Sequence, residues 1–214
     1  MPIFTKGDQR VYFAHIPKTA GSYVYTLFLD NSWNISHLRM GRGGIGRLLR
    51  RKYNILSVET PDAVDGLTPY FQHAEYRHWK NWGDFTSSFA ILRDPNERCR
   101  SAIKQAYKPH QRNLHIEDFK NEWFTKLRSD LPNDLSLAGG HFIPQISYIG
   151  PETELYLYEH DWLEALGARY EFSNRDQKRV NRSPNVEFAF TDEEENWIRT
   201  FYAMDYNFID ERFY

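Results

Sequence analysis

The chain has 214 residues, of which 41% are hydrophobic and 16% aromatic, and its formal net charge is −2. That is ample apolar material for one globular domain. The near-neutral balance argues against general nucleic-acid binding, which needs a sustained basic surface to release counterions from phosphate. No run approaches the eighteen or so apolar residues of a membrane span, and MPIFTKGDQR lacks the apolar stretch of a signal peptide, so a cytoplasmic protein is expected. Cys99 is the single cysteine, which rules out an intrachain disulfide. Its place between Arg98 and Arg100 on a predicted helix points to packing rather than reactivity.

In chain order, the first informative stretch is VYFAHIPKTAGSY, residues 11–23. A strand predicted over 11–15 ends in a short loop holding Lys18, Thr19, Gly21 and Ser22, and a helix-compatible segment follows. That is the layout of a phosphate cradle. Backbone N–H groups and the positive end of the helix converge on an anion, Gly21 admits close approach, and Lys18 adds a mobile point charge. The order differs from the nucleoside triphosphatase loop G-x-x-x-x-G-K-[ST], because here the lysine precedes the glycine.

Residues 39–52, RMGRGGIGRLLRRK, carry six Lys or Arg and no acid. Such a run forms a solvated basic face or faces an anionic acceptor. Within it Gly41, Gly43 and Gly46 spell G-x-G-x-x-G, with Glu59 eighteen residues after Gly41. A dinucleotide fingerprint needs a buried hydrophobic strand just before the first glycine, and NISHLRM is polar there, so the match is set aside.

Further strands are predicted over 55–59, 68–72, 87–92 and 154–158, with helical patterns between or after most of them. This alternation predicts a parallel sheet with helices on both faces. After the strand at 87–92, Asp94 reads as an N-cap, Pro95 as the first helical residue and Glu97 as the third, a capping box with aspartate in the Ser/Thr place. Arg93 therefore marks the strand end, and Ser101 lies two turns into the helix on the side of Glu97 and Arg98. An arginine fork and a helix hydroxyl so placed can flank one anion.

Residues 108–140 are polar, with turn signals at Pro109, Pro132 and Gly139-Gly140, and read as a helical insertion on the acceptor side. ELYLYEHDWLEALGARY, residues 154–170, predicts a strand and then a short helix stopping at Gly167. A last helix opens at Thr191 with Glu194 three residues on, and its Trp197, Ile198 and Phe201 share a core face. With no repeat or low-complexity linker, residues 1–214 read as a single domain.

Two of these motifs resemble a known family. Pro17-Lys18-Thr19-Ala20-Gly21-Ser22 resembles the 5′-phosphosulfate loop of sulfotransferases that use 3′-phosphoadenosine 5′-phosphosulfate (PAPS), in particular the glycan-modifying branch that includes heparan sulfate 2-O-sulfotransferase. Arg93 and Ser101, eight positions apart, match that family's 3′-phosphate motif. FQHAEYR (71–77) resembles the segment carrying a histidine base, which falls on His73. QISYI (145–149) echoes a Q-x-x-Y-L element, RVNRSP (179–184) the basic loop that closes over the nucleotide, and YAMDYNFID the terminal Tyr-Ala-x-Asp-Tyr element.

The resemblance implies an α/β, P-loop-like three-layer fold with a central parallel sheet of about five strands flanked by helices. It implies PAPS as donor, held by Lys18, Thr19, Ala20, Gly21, Ser22, Tyr23, Arg93, Ser101, Asn181, Arg182 and Ser183. The partner is a hydroxyl-bearing acceptor, a glycan or glycoconjugate, and the chemistry requires no metal. Animal members of the branch are membrane-anchored, so the lack of an apolar anchor suggests a soluble bacterial- or viral-type member. His73 is the expected general base and Lys18 the catalytic cation; Glu75 is the rival base, and His15 and His78 are weaker candidates, His15 packed beneath the loop. A P-loop kinase or other phosphotransferase and a non-catalytic nucleotide-binding module remain the alternatives.

Overall fold

The computed structural model describes residues 3–36, 73, 75–80, 84–107, 115–135, 140–173 and 186–214. They belong to two compact units, one of residues 1–92 and 147–181, the other of residues 93–146 and 182–214.

The first unit is α/β. Its sheet has five strands, β1 (Ile3–Lys6), β2 (Gln9–Phe13), β3 (Asn34–Ser36), β4 (Ser87–Leu92) and β5 (Thr153–Leu157), in the order β3-β1-β2-β4-β5. Strands β2, β4 and β5 are parallel, with Phe13 opposite Phe89 and Leu92 opposite Leu157. The expected all-parallel sheet is thus corrected to a mixed one, because β1 runs antiparallel to both β2 and β3. The cause is local. Gly7-Asp8 closes a two-residue hairpin with Gly7 at φ 57°, and a turn that short can join only antiparallel neighbours. The strands predicted over 55–59 and 68–72 lie outside the described residues.

Alternation along β2 sends Val11 and Phe13 to one face and Tyr12 to the other. Under the first face lie helix α1 (Gly21–Asp30), through Val24, Leu27 and Phe28, and helix α5 (Trp162–Arg169), through Leu166 and the following Tyr170 and Phe172. Phe28 stacks on Phe4 at 3.8 Å and meets Phe89 at 5.7 Å, so the interior is largely aromatic. On the second face Tyr12 stacks on Trp79 of the short helix α2 (Tyr76–Trp79), whose indole N–H donates to the Tyr148 carbonyl. Helix α5 runs two residues beyond the expected stop at Gly167. Gly167 is buried inside it, and the chain turns instead at Glu171, which takes φ 54°.

The second unit is helical: α3 (Pro95–Ala106), α4 (Ile116–Asp130), α6 (Asp192–Phe201) and α7 (Ala203–Phe213). Its core gathers Ile103, Phe119, Phe124, Leu127, Phe142, Phe188, Ile198 and Tyr202. Helix α4 supplies the helical part of the segment read as an insertion, and its apolar face is part of that core. The capping box of α6 is complete, with Thr191 Oγ1 accepting from Glu194 N and Glu194 Oε2 accepting from Thr191 N. Trp197 and Phe201 pack against the core around Ile198, as their spacing predicts.

Candidate functional site

The loop after β2 leaves the carboxyl end of a parallel strand, the edge at which open α/β sheets bind ligands. Ala14 N still donates to Phe89 O, continuing the ladder, and Ile16 N then turns back to Ala14 O. Thr19 is fully buried, and its hydroxyl donates to Ile16 O at 2.9 Å, tying the loop into a closed turn. On either side of it Lys18 and Ala20 take φ 72° and 69°. Left-handed backbone at two L-residues costs about 1–2 kcal/mol each, a strain of the kind found in loops whose main-chain N–H groups hold anions. Helix α1 begins at Gly21, with Tyr23 N and Val24 N donating to Ala20 O.

Gly21 is required for a reason other than close approach of a ligand. A Cβ there would lie 1.7 Å from Nε2 of His15. The His15 ring is packed beneath the loop as expected, stacked on Phe13 at 5.3 Å and hydrogen-bonded through Nδ1 to the Tyr25 hydroxyl. Burial holds the Tyr25 phenol well above its usual range, so it stays neutral.

His73 is buried against His15, ring to ring at 4.4 Å, and its Nδ1 lies 3.0 Å from His15 O. A carbonyl oxygen can only accept, so Nδ1 carries the proton and the lone pair of the neutral ring is on Nε2. Of the other expected candidates, Glu75 stands before α2 and pairs with Arg77 at 2.8 Å and His78 at 3.8 Å. Burial first, and the Arg77 charge second, lower the His78 pKa.

In the second unit Asp94 caps α3 by accepting from Glu97 N at 2.9 Å, with Pro95 at the first position. The Glu97 carboxylate lies 3.1 Å from Arg100 Nε and 3.7 Å from Arg93 Nη2. Ser101 is half-buried one turn beyond Glu97, so Arg93, Glu97 and Ser101 follow one another at four-residue spacing. Cys99 is buried, and burial pushes its thiol up to about 12, which agrees with a packing role.

Two residues without an assigned role converge on Arg93. Fully buried Gln145 accepts from Arg93 N at 3.0 Å and donates to Arg93 O at 2.8 Å. Asp205 in turn accepts from Gln145 N at 2.8 Å and Ile146 N at 3.1 Å. Buried Arg98 donates to the carbonyls of His141 and Ile143, and Tyr202 Oη to that of Phe142. The weak sequence echoes QISYI and YAMDY thus meet in one network.

Asn181, Arg182 and Ser183, and the basic run 39–52, lie outside the described residues. Among the described residues no group of three or more His, Cys, Asp or Glu is arranged to hold a metal ion, and no helix is long and apolar enough to cross a membrane. No protein-family model matches the chain, and neither a curated protein nor a solved structure matches it significantly.

Proposed function

We propose that the protein is a PAPS-dependent sulfotransferase that modifies a hydroxyl of a carbohydrate acceptor in the cytoplasm, and that its α/β unit is the P-loop-like core of that family. The observation that carries the reading is the loop from Ala14 to Ser22. Two left-handed L-residues flank a buried threonine between a parallel strand and a helix N-terminus, a conformation that costs free energy and supports reading the loop as an anion cradle. Lys18, Thr19, Ala20, Gly21, Ser22 and Tyr23 take the 5′-phosphosulfate, and Arg93 with Ser101 the 3′-phosphate.

The donor supplies a sulfuryl group activated by a phosphate leaving group. Nε2 of His73 accepts the proton of the acceptor hydroxyl as its oxygen bonds to sulfur. Lys18 meets the charge that grows on the bridging oxygen as the sulfur–oxygen bond to the nucleotide breaks. The loop N–H groups hold the equatorial oxygens, so positioning and electrostatics supply most of the rate.

Calorimetric titration with adenosine 3′,5′-bisphosphate, ADP and ATP, followed by isotopically labelled PAPS with a panel of glycans, tests the reading. Tight binding of the bisphosphate alone and label transfer to one acceptor class are expected. Lys18→Ala should lower transfer far more than it weakens nucleotide binding. Equal affinity for all three nucleotides would overturn the reading in favour of a phosphotransferase.

A further inference from the structure

We propose that Gln145, itself held by Asp205, is the positioning residue for the Arg93 anion site. The inference rests on the sulfotransferase reading for its ligand, while its geometry stands within the second unit alone. Ladder pairing of β4 ends at Leu92, and α3 starts at Pro95. Arg93 therefore falls where neither ladder nor helix satisfies its backbone, and both its N–H and its C=O need partners.

A primary amide carries one acceptor and one donor group, and Gln145 turns both to Arg93, at 3.0 and 2.8 Å, while its side chain also hydrogen-bonds Asp205. Two bonds to the peptide groups on either side of the Arg93 Cα fix the rotation about it, and with it the direction in which the guanidinium stem departs. A bidentate arginine contact is sensitive to that direction in a way a lysine point charge is not.

The clasp is itself anchored. Gln145 and Ile146 lie in a 3-10 turn, Gln145–Tyr148, whose first two N–H groups both donate to the carboxylate of Asp205, 1% exposed. Arg98, five residues after Arg93 and also buried, grips the same strap at His141 and Ile143. The segment 141–146 is thus pinned from two helices before it reaches Arg93. A strap serving only to fill the core would not need its one fully buried amide aimed at the backbone of the anion-binding residue.

The test compares Gln145→Met, which keeps volume and removes both bonds, with Gln145→Glu, which keeps the acceptor, and Asp205→Asn. Adenosine 3′,5′-bisphosphate and ADP are titrated calorimetrically, and exchange of the Arg93 amide hydrogen is followed in the free protein. Expected are a loss of tenfold or more in bisphosphate affinity for Gln145→Met, a smaller loss for Gln145→Glu and Asp205→Asn, unchanged ADP affinity throughout, and faster Arg93 exchange. If Gln145→Met does not fold, the other two variants decide by the same readouts. Equal loss for both nucleotides, or bisphosphate affinity within twofold of wild type, overturns the positioning role. A wild type that does not distinguish the nucleotides overturns the sulfotransferase reading instead, and the Arg93 exchange rate then decides the clasp by itself.

Discussion

His73 and His15 are joined at 3.0 Å through a ring Nδ1 and a main-chain carbonyl, so the residue beneath the loop after β2 sets the tautomer of the expected base. His73→Asn retains a side-chain N–H able to donate to that carbonyl and has no lone pair suited to take a proton near neutrality. It is expected to keep nucleotide affinity and melting temperature close to wild type and to lose roughly two to four orders of magnitude in turnover. Single-turnover transfer assays check this. Retained activity in His73→Asn together with an inactive Glu75→Gln would move the base to Glu75.

Gly21 gives a second, steric test. Its added methyl would overlap the His15 imidazole, a rigid ring already bonded to Tyr25 and packed on Phe13. Gly21→Ala should therefore destabilise the protein by about 1–3 kcal/mol, as overpacking does, and weaken nucleotide binding by moving the start of α1. Removing the obstacle should restore part of the loss, so that Gly21→Ala with His15→Ala is less destabilised than the sum of the single changes. Strict additivity in urea denaturation would show that the clash is relieved some other way.

Local chemistry was legible in the sequence where a residue and its partner are close along the chain. The Asp94 and Thr191 caps, β2, β4 and β5, and the burial of Cys99 were all readable from spacing and polarity. The Gly7-Asp8 turn is also a sequence signal, but β1 and β3 are four and three residues long, too short for alternation to declare itself, and the mixed sheet went unread. The helix end at Gly167 was misplaced because glycine there serves burial and not a left-handed turn. The Gln145 clasp spans 52 residues and the Asp205 anchor 60, and no local pattern reports pairings at that separation. The loop strain at Lys18 and Ala20 was equally hidden, since glycine would have been the expected residue at either position.

Cys99 offers a check that is independent of any ligand. Burial raises its thiol from an ordinary value of 9.0 to about 12 in the folded state. The unfolded chain therefore loses this proton first as pH rises, and the contribution is fully present below pH 9 and declines between pH 9 and about 12. The slope from one such group approaches about 1.4 kcal/mol per pH unit. Cys99→Ala should flatten the fall in unfolding free energy just above pH 9, before most tyrosines of the unfolded chain ionise. Native protein should also resist thiol-specific reagents at pH 8 and react fully once unfolded. Prompt labelling of the native thiol would contradict the packing role.

Glu97 sits 3.7 Å from the Arg93 guanidinium, on the four-residue line that leads to Ser101, so under the proposed function an incoming 3′-phosphate would meet a carboxylate already beside its arginine. The Glu97 side chain is 46% exposed, and pairs of that kind contribute about 0.2–1 kcal/mol, far less than a bidentate arginine–phosphate contact. The phosphate should therefore win, at a small electrostatic cost that Glu97 imposes. Glu97→Gln removes the competing charge and leaves the main-chain N–H that Asp94 caps, so α3 keeps its start. Adenosine 3′,5′-bisphosphate should bind up to about fivefold more tightly to this variant, with the gain shrinking as salt is raised, while ADP affinity stays the same. Calorimetric titration at two ionic strengths reads both effects. Weaker bisphosphate binding in Glu97→Gln would mean that the carboxylate orients the Arg93 fork toward the ligand, and the competition drawn from the 3.7 Å contact would have the wrong sign.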